Sequence, residues 1–199
     1  MISESYLHLG DYSKAEEIGR AALALLAGTG HSWPRGFIAW WLGVAYLMLQ
    51  KYPEARGAFQ LTEAISLTQV TEYSGMADLG LSMLELRLGN IPPAWQHIHK
   101  ALPLVVDQDL LYFSYALSIM ALLLAGRGQV EQALELYTLV IRFPMVANSC
   151  WFADFFGKPI QSAITNLPVE VVVAAQQRGQ LLDARETAHR LIADFDTQG

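Results

Sequence analysis

The hydrophobic positions of this chain recur every three to four residues in one segment after another, with short polar corners between the segments. Four stretches superimpose when written one above another: "LHLGDYSKAEEIGRAAL" from Leu7, "YLMLQKYPEARGAFQLT" from Tyr46, "LELRLGNIPPAWQHIHKAL" from Leu84 and "LLLAGRGQVEQALELYTLV" from Leu122. Each reads as a leucine-rich helix, a corner and a second helix containing small residues. The corner residues Gly10, Gln50, Gly89 and Gly128 are spaced by 40, 39 and 39 positions. Ala15, Ala55, Ala94 and Ala133 follow in register, as do the larger Tyr12, Tyr52, Ile91 and Val130. Such recurrence predicts a solenoid of antiparallel helix pairs, because one hairpin cannot bury both of its apolar faces and must lean on its neighbours.

The pattern places helices at Ile2–Leu9, Tyr12–Leu26, Pro34–Leu49, Pro53–Thr68, Glu72–Leu88, Pro92–Val106, Asp109–Ala125 and Val130–Arg142. The first hairpin is clipped ahead of its corner. Pro92, Pro93 and Pro53 fall in the first turn of a helix, where a missing backbone donor costs little. Asn90 is placed to cap or approach the helix that follows it. After "FPMVANS" the register weakens, with shorter helices expected at Cys150–Phe156 and Pro159–Asn166. A final pair follows at Pro168–Arg178 and Leu182–Phe195. Val171 to Val173 carry local strand preference, but no partner strand is evident and helix is preferred. One helical-repeat domain over residues 1–199 is expected, regular over 1–143 and divergent as a cap over 144–199.

Composition narrows the class. The 199 residues are 53% hydrophobic and only 16% charged, too apolar for a disordered chain and lean in charge for a free surface. A net charge of -6 gives no general attraction to phosphate backbones, so no direct nucleic-acid binding is expected. The single cysteine, Cys150, cannot close an intramolecular disulfide. No apolar run reaches the roughly 20 residues of a membrane span, and "MISESYLHLGDY" is no leader, so a cytoplasmic protein without membrane contact is expected.

Candidate chemistry is sparse. His97 and His99 lie two apart and point in different directions on a helix, while His8, His31 and His189 lack metal-ligand spacing. Glu16, Glu17, Glu131 and Glu135 read as solvated helix charges, and Asp107 and Asp109 as residues at a helix boundary. Cys150 beside Trp151 reads as a packed thiol. No serine elbow and no phosphate-binding glycine loop occurs. The expectation is a chain without enzymatic activity, metal or cofactor.

Leu42, Gly43, Tyr46, Tyr52, Ala55 and Phe59 resemble the tetratricopeptide repeat, with Gln50 at the corner glycine and Thr62 at the last alanine. Gly89, Ala94 and Ala101 continue the likeness, though Ser82 and Glu85 stand where glycine and tyrosine are usual; Gly128, Ala133 and Tyr137 carry it once more. It covers Ile2 to Phe143 and resumes at Pro168, with a period longer than the usual length of about 34. The order of apolar repeats, then "ALELYTLVIRFP", then "LPVEVVVAAQQRGQLLDARE" also resembles the C-terminal helical arm of bacterial signal-transduction ATPases and multidomain transcriptional regulators.

These resemblances imply an all-α, right-handed superhelix whose first helices line a concave groove. Groove positions correspond to Phe37, Trp40, Val44, Leu47 and Met48, then Met76, Leu79, Met83, Leu86 and Arg87, then Tyr115, Ser118 and Leu122. The expected binding set is Phe37, Trp40, Val44, Met48, Leu79, Met83, Arg87 and Tyr115. For Trp40 and Met48, packing in the core between repeats is the competing reading; Trp41 is assigned to the core. The family's carboxylate clamp uses Lys and Asn where this chain has Trp40 and Val44. The implied function is a non-catalytic protein-interaction scaffold in signalling or transcriptional regulation. Its partner would be an apolar peptide, a helix or an adjacent domain of a larger chain. A structural or oligomerisation module, for instance a homodimer, is the alternative.

Overall fold

A computed structural model describes residues 2–68, 75–107 and 110–198. Among them the chain is helical, with no strand. The helices are α1 (Ile2–Leu9), α2 (Tyr12–Leu25), α3 (Ser32–Met48), α4 (Tyr52–Thr68), α5 (Met76–Leu88), α6 (Ile91–Val105), α7 (Leu110–Gly126) and α8 (Val130–Val140). Short α9 (Pro144–Ala147) and α10 (Cys150–Phe152) lead through a π-helical turn (Ala153–Gly157) into α11 (Lys158–Ile164). Then come α12 (Val169–Leu181) and α13 (Ala184–Gln198).

The four corners share one backbone geometry. Gly10, Gln50, Gly89 and Gly128 all adopt positive φ, at 84°, 60°, 76° and 80°. The residue after each (Asp11, Lys51, Asn90, Gln129) donates its N–H to the carbonyl five positions back, on Tyr6, Tyr46, Glu85 and Leu124, at 2.8 or 2.9 Å. The corner N–H itself reaches three positions back in every case. These paired bonds satisfy carbonyls that a helix end leaves open, and a left-handed residue is what lets the chain make both. The carbonyls of Asp11, Lys51, Asn90 and Gln129 then accept from Ala15, Ala55, Ala94 and Ala133, starting the second helix. All four alanines are fully buried.

A second recurrence lies seven residues before each corner, at Ser3, Gly43, Ser82 and Ala121. Ser3 Oγ donates to the Ala15 carbonyl and Ser82 Oγ to that of Ala94, both at 2.8 Å. A small side chain is required here because the paired helices approach closely, and serine adds a cross-helix bond. Ser82 thus ties α5 to α6 while keeping the two helices close.

Two compact units divide the chain, residues 1–97 with 149–151 and residues 98–148 with 152–199. In the first, α1 to α5 pack consecutively, and α3 also touches α1 and α5. Its core holds Trp40, Trp41, Phe59, Leu79 and Met83. In the second, α7 pairs with α8, α11 rests on both, and α9 and the π-helical turn lie on α7. Here α12, not the next helix in sequence, lies along α8. Gly179 permits that approach: a Cβ there would stand 2.5 Å from the Glu135 carbonyl oxygen. Arg178 adds ion pairs to Glu131 at 2.9 Å and Glu135 at 2.7 Å.

Several boundaries shift. The expected helix starts at Glu72 and Asp109 lie outside the described residues. α3 begins two residues early, so Trp33 is helical. "FPMVANS" contains α9, and Cys150 to Ile164 forms one unbroken helical run. Val171 to Val173 are helical in α12. Asn90 does not cap with its side chain; its amide donates to Glu85 Oε2 at 2.7 Å.

Candidate functional site

The faces of α3, α5 and α7 are the surfaces on which a partner was expected. α3 carries aromatic residues at Trp33, Phe37 and Trp41, spaced by four, which places them along one stripe of the helix. Trp33 stacks on Phe37 with centroids 5.7 Å apart and planes within 6°. Phe37 meets Trp41 edge-on at 6.2 Å. At the buried end of the stripe Trp151 meets Trp41 edge-on, also at 6.2 Å. Along the stripe exposure falls from 49% at Trp33 to 1% at Trp41, and Trp151 is fully enclosed. One end of the stripe is thus open and the other is closed by the chain's own α10.

The second unit repeats the theme. Phe152 lies 6.3 Å from Tyr115 and stacks on Tyr137 at 6.3 Å, while Phe155 and Phe152 both flank Phe156 at 4.7 Å. Burial raises the Tyr137 hydroxyl above its usual range. A Cβ on Gly157 would stand 2.6 Å from that hydroxyl, so glycine leaves room for the Tyr137 side chain here.

Of the eight expected binding residues, Trp40, Val44, Leu79, Met83 and Tyr115 are buried, Phe37 and Met48 are half-buried, and Arg87 is exposed. Tyr115 belongs to the second unit and the other seven to the first. Trp40 Nε1 donates to the Met76 carbonyl at 2.8 Å, which ties α3 to the start of α5. Its ring meets Trp41 edge-on at 4.8 Å. In this arrangement the five buried side chains pack within the protein, and Phe37, Met48 and Arg87 retain surface. Leu47, Met76 and Ser118 are buried, and Leu86 and Leu122 half-buried.

Charged residues serve the hairpins. Glu85, only 4% exposed, accepts from Arg56 Nη2 at 2.6 Å and from Asn90 Nδ2 at 2.7 Å. Burial pushes this carboxyl upward, but the two hydrogen bonds and the Arg56 charge outweigh it and hold it below the usual range. His97 Nδ1 sits 2.7 Å from Asp78 Oδ1. Glu16 is not simply solvated: Lys51 reaches it at 2.6 Å and joins the first hairpin to the second. Cys150, expected to pack, is exposed. As first residue of α10 it lies beside Gly10, and its neighbour Trp151 takes the buried position.

Among the described residues no group of three or more His, Cys, Asp or Glu side chains is placed to hold a metal ion. None of their helices is long and apolar enough to cross a membrane. Trp33 was missed by sequence reasoning because the helix start was set two residues too late; its spacing of four from Phe37 was the available signal. Comparison with protein-family models, curated proteins and solved structures finds no match.

Proposed function

We propose that this chain is a non-catalytic protein-interaction scaffold that binds an apolar peptide, helix or adjacent domain and serves signalling or transcriptional regulation in the cytoplasm. A tetratricopeptide-like, right-handed superhelical arrangement of its hairpins belongs to the same reading. It is supported above all by the Trp33–Phe37–Trp41 stripe. Trp151 from the chain's own α10 occupies its inner end, an example of the side chain this surface accepts. The stacked outer pair offers a rigid aromatic platform for a partner's apolar residue, and such anchors dominate interface energetics. Arg87 and Met48 supply further accessible positions.

The direct test is affinity for partners captured by the isolated chain. Trp33→Ala and Phe37→Ala, each checked for unchanged helicity and melting, should weaken binding by at least tenfold if these are hot spots. Unaltered affinity for every partner would remove the stripe from the reading. The same exposed stack would suit a second copy of the chain, as an oligomerisation module requires. A concentration-dependent mass that Trp33→Ala abolishes would favour that alternative.

A further inference from the structure

Arg35 lies on α3 two residues from Phe37, about 200° round the helix and so on the side away from the aromatic stripe. There it lines an open cleft of about 680 Å³ between α2, α3 and α4, with Leu23, Leu42 and Leu61 among the apolar walls. Its Nε is buried and has no hydrogen-bond partner. An arginine stays charged at any physiological pH, and a buried N–H without an acceptor costs free energy. Native proteins keep few such groups, and no carboxylate among the described residues pairs with this guanidinium. The C-terminal end of α2 lies alongside, and its dipole favours a cation, but a dipole does not satisfy the N–H.

The cleft lining sets two arginines, Arg20 and Arg35, against one carboxylate, Glu17. Arg20 lines the same cleft and reaches Glu16 only at 3.9 Å, while Glu16 is held by Lys51 at 2.6 Å. Glu17, the acidic residue of the lining, is paired with Lys14 at 2.8 Å. In a chain of net charge -6, this is a local basic site over an aliphatic floor. Tyr46 lines it too, and burial raises its hydroxyl above the usual range, so it remains a donor. The size falls within the span of small-ligand sites, which are mostly apolar with a few oriented polar groups.

We infer that the cleft between α2, α3 and α4 binds an aliphatic carboxylate. Arg35 donates to the carboxylate from its planar fork, Arg20 swings in from the rim, and the hydrocarbon lies along Leu23, Leu42 and Leu61. The same chemistry arises from a free medium-chain acid or from an acidic side chain between leucines in a peptide. The site is independent of the aromatic stripe.

Isotope-labelled full chain would be titrated with octanoate, with octanamide, and with a blocked leucyl-glutamyl-leucine peptide and its glutamine counterpart. The Arg35 Nε–H signal and the methyl signals of Leu23, Leu42 and Leu61 report the cleft. Octanoate or the glutamate peptide should shift these signals together, and the neutral analogue should bind about ten- to a hundredfold more weakly. Arg35→Met, with helicity retained, should show the same loss, and Phe37→Ala should show none. A response to octanoate alone identifies a free acid as ligand; a response to the peptide alone identifies a partner's acidic residue. The inference is overturned if neither probe shifts the cleft signals, if neutral analogues bind as tightly, or if Arg35→Met binds like the parent. The neutral-analogue comparison needs no variant and decides the matter even if Arg35→Met fails to fold.

Discussion

The ring of Phe59 lies directly over Gly43: a Cβ built on Gly43 would stand 2.5 Å from Phe59 Cε1. A Cβ built on Gly80, on α5, would stand 2.3 Å from Cδ1 of the same ring. Phe59 of α4 is thus gripped by α3 and α5, and the two glycines set how closely these hairpins nest. Gly43→Ala should lower stability by about 1–3 kcal/mol through overpacking, despite alanine's better helix propensity. Phe59→Leu in the Gly43→Ala background should recover part of the loss. Urea unfolding of the four proteins of this cycle measures it; additive effects would deny the contact.

Gln50 is the non-glycine residue with positive φ among the described residues. Gln50→Gly should therefore stabilise the protein by about 0.5–1 kcal/mol, relieving a left-handed conformation that an L side chain disfavours. Gly89→Ala and Gly128→Ala should destabilise it by about 1–2 kcal/mol for the converse reason. Melting temperatures test both signs, and a Gln50→Gly variant that melts lower would contradict the strain.

Glu85 links stability to acid. Its folded carboxyl titrates below the ordinary value of 4.5, because the hydrogen bonds from Asn90 and Arg56 overcome burial. Above about pH 4.5 both folded and unfolded chains are ionised there and the contribution is complete. As pH falls, the unfolded chain takes up the proton first, and the contribution disappears as pH passes through the lower folded value. Glu85→Gln should cost about 1–3 kcal/mol near pH 7, and its urea midpoint should converge on the parent's once the pH has fallen through the lowered folded value. A gap that does not change with pH would rule out this role.

Trp151 and Trp33 should separate folding from binding. Trp151→Ala removes a fully buried ring from Trp41 and should cost about 3–5 kcal/mol. Trp33→Ala, at the exposed end of the stripe, should change stability by about 1 kcal/mol or less. Calorimetric melting distinguishes the two, and equal losses would mean that the outer stack is part of the core.

Much of the hairpin fold was legible in the chain because its signals are local. A corner closes its own hydrogen bonds within six residues, so Gly10, Gly89 and Gly128 announce themselves, and Gln50 is found by register alone. The in-register alanines are legible for a related reason: every hairpin needs one close contact at the same height. The face of α3 was only half legible. Its spacing identifies Trp33, Phe37 and Trp41 as one stripe, yet burial depends on Trp151, which arrives from more than a hundred positions away.

The amino-acid order by itself determined the four corners at which one helix ends and its partner begins, since those choices rest on backbone freedom and bonds between near neighbours. The tertiary structure alone decided which apolar faces stay open: Trp40, Met83 and Tyr115 turn inward, Trp33 and Phe37 keep surface, and Arg35 is left in its cleft. Exposure is a property of what packs against a face, and helical periodicity contains no record of that neighbour.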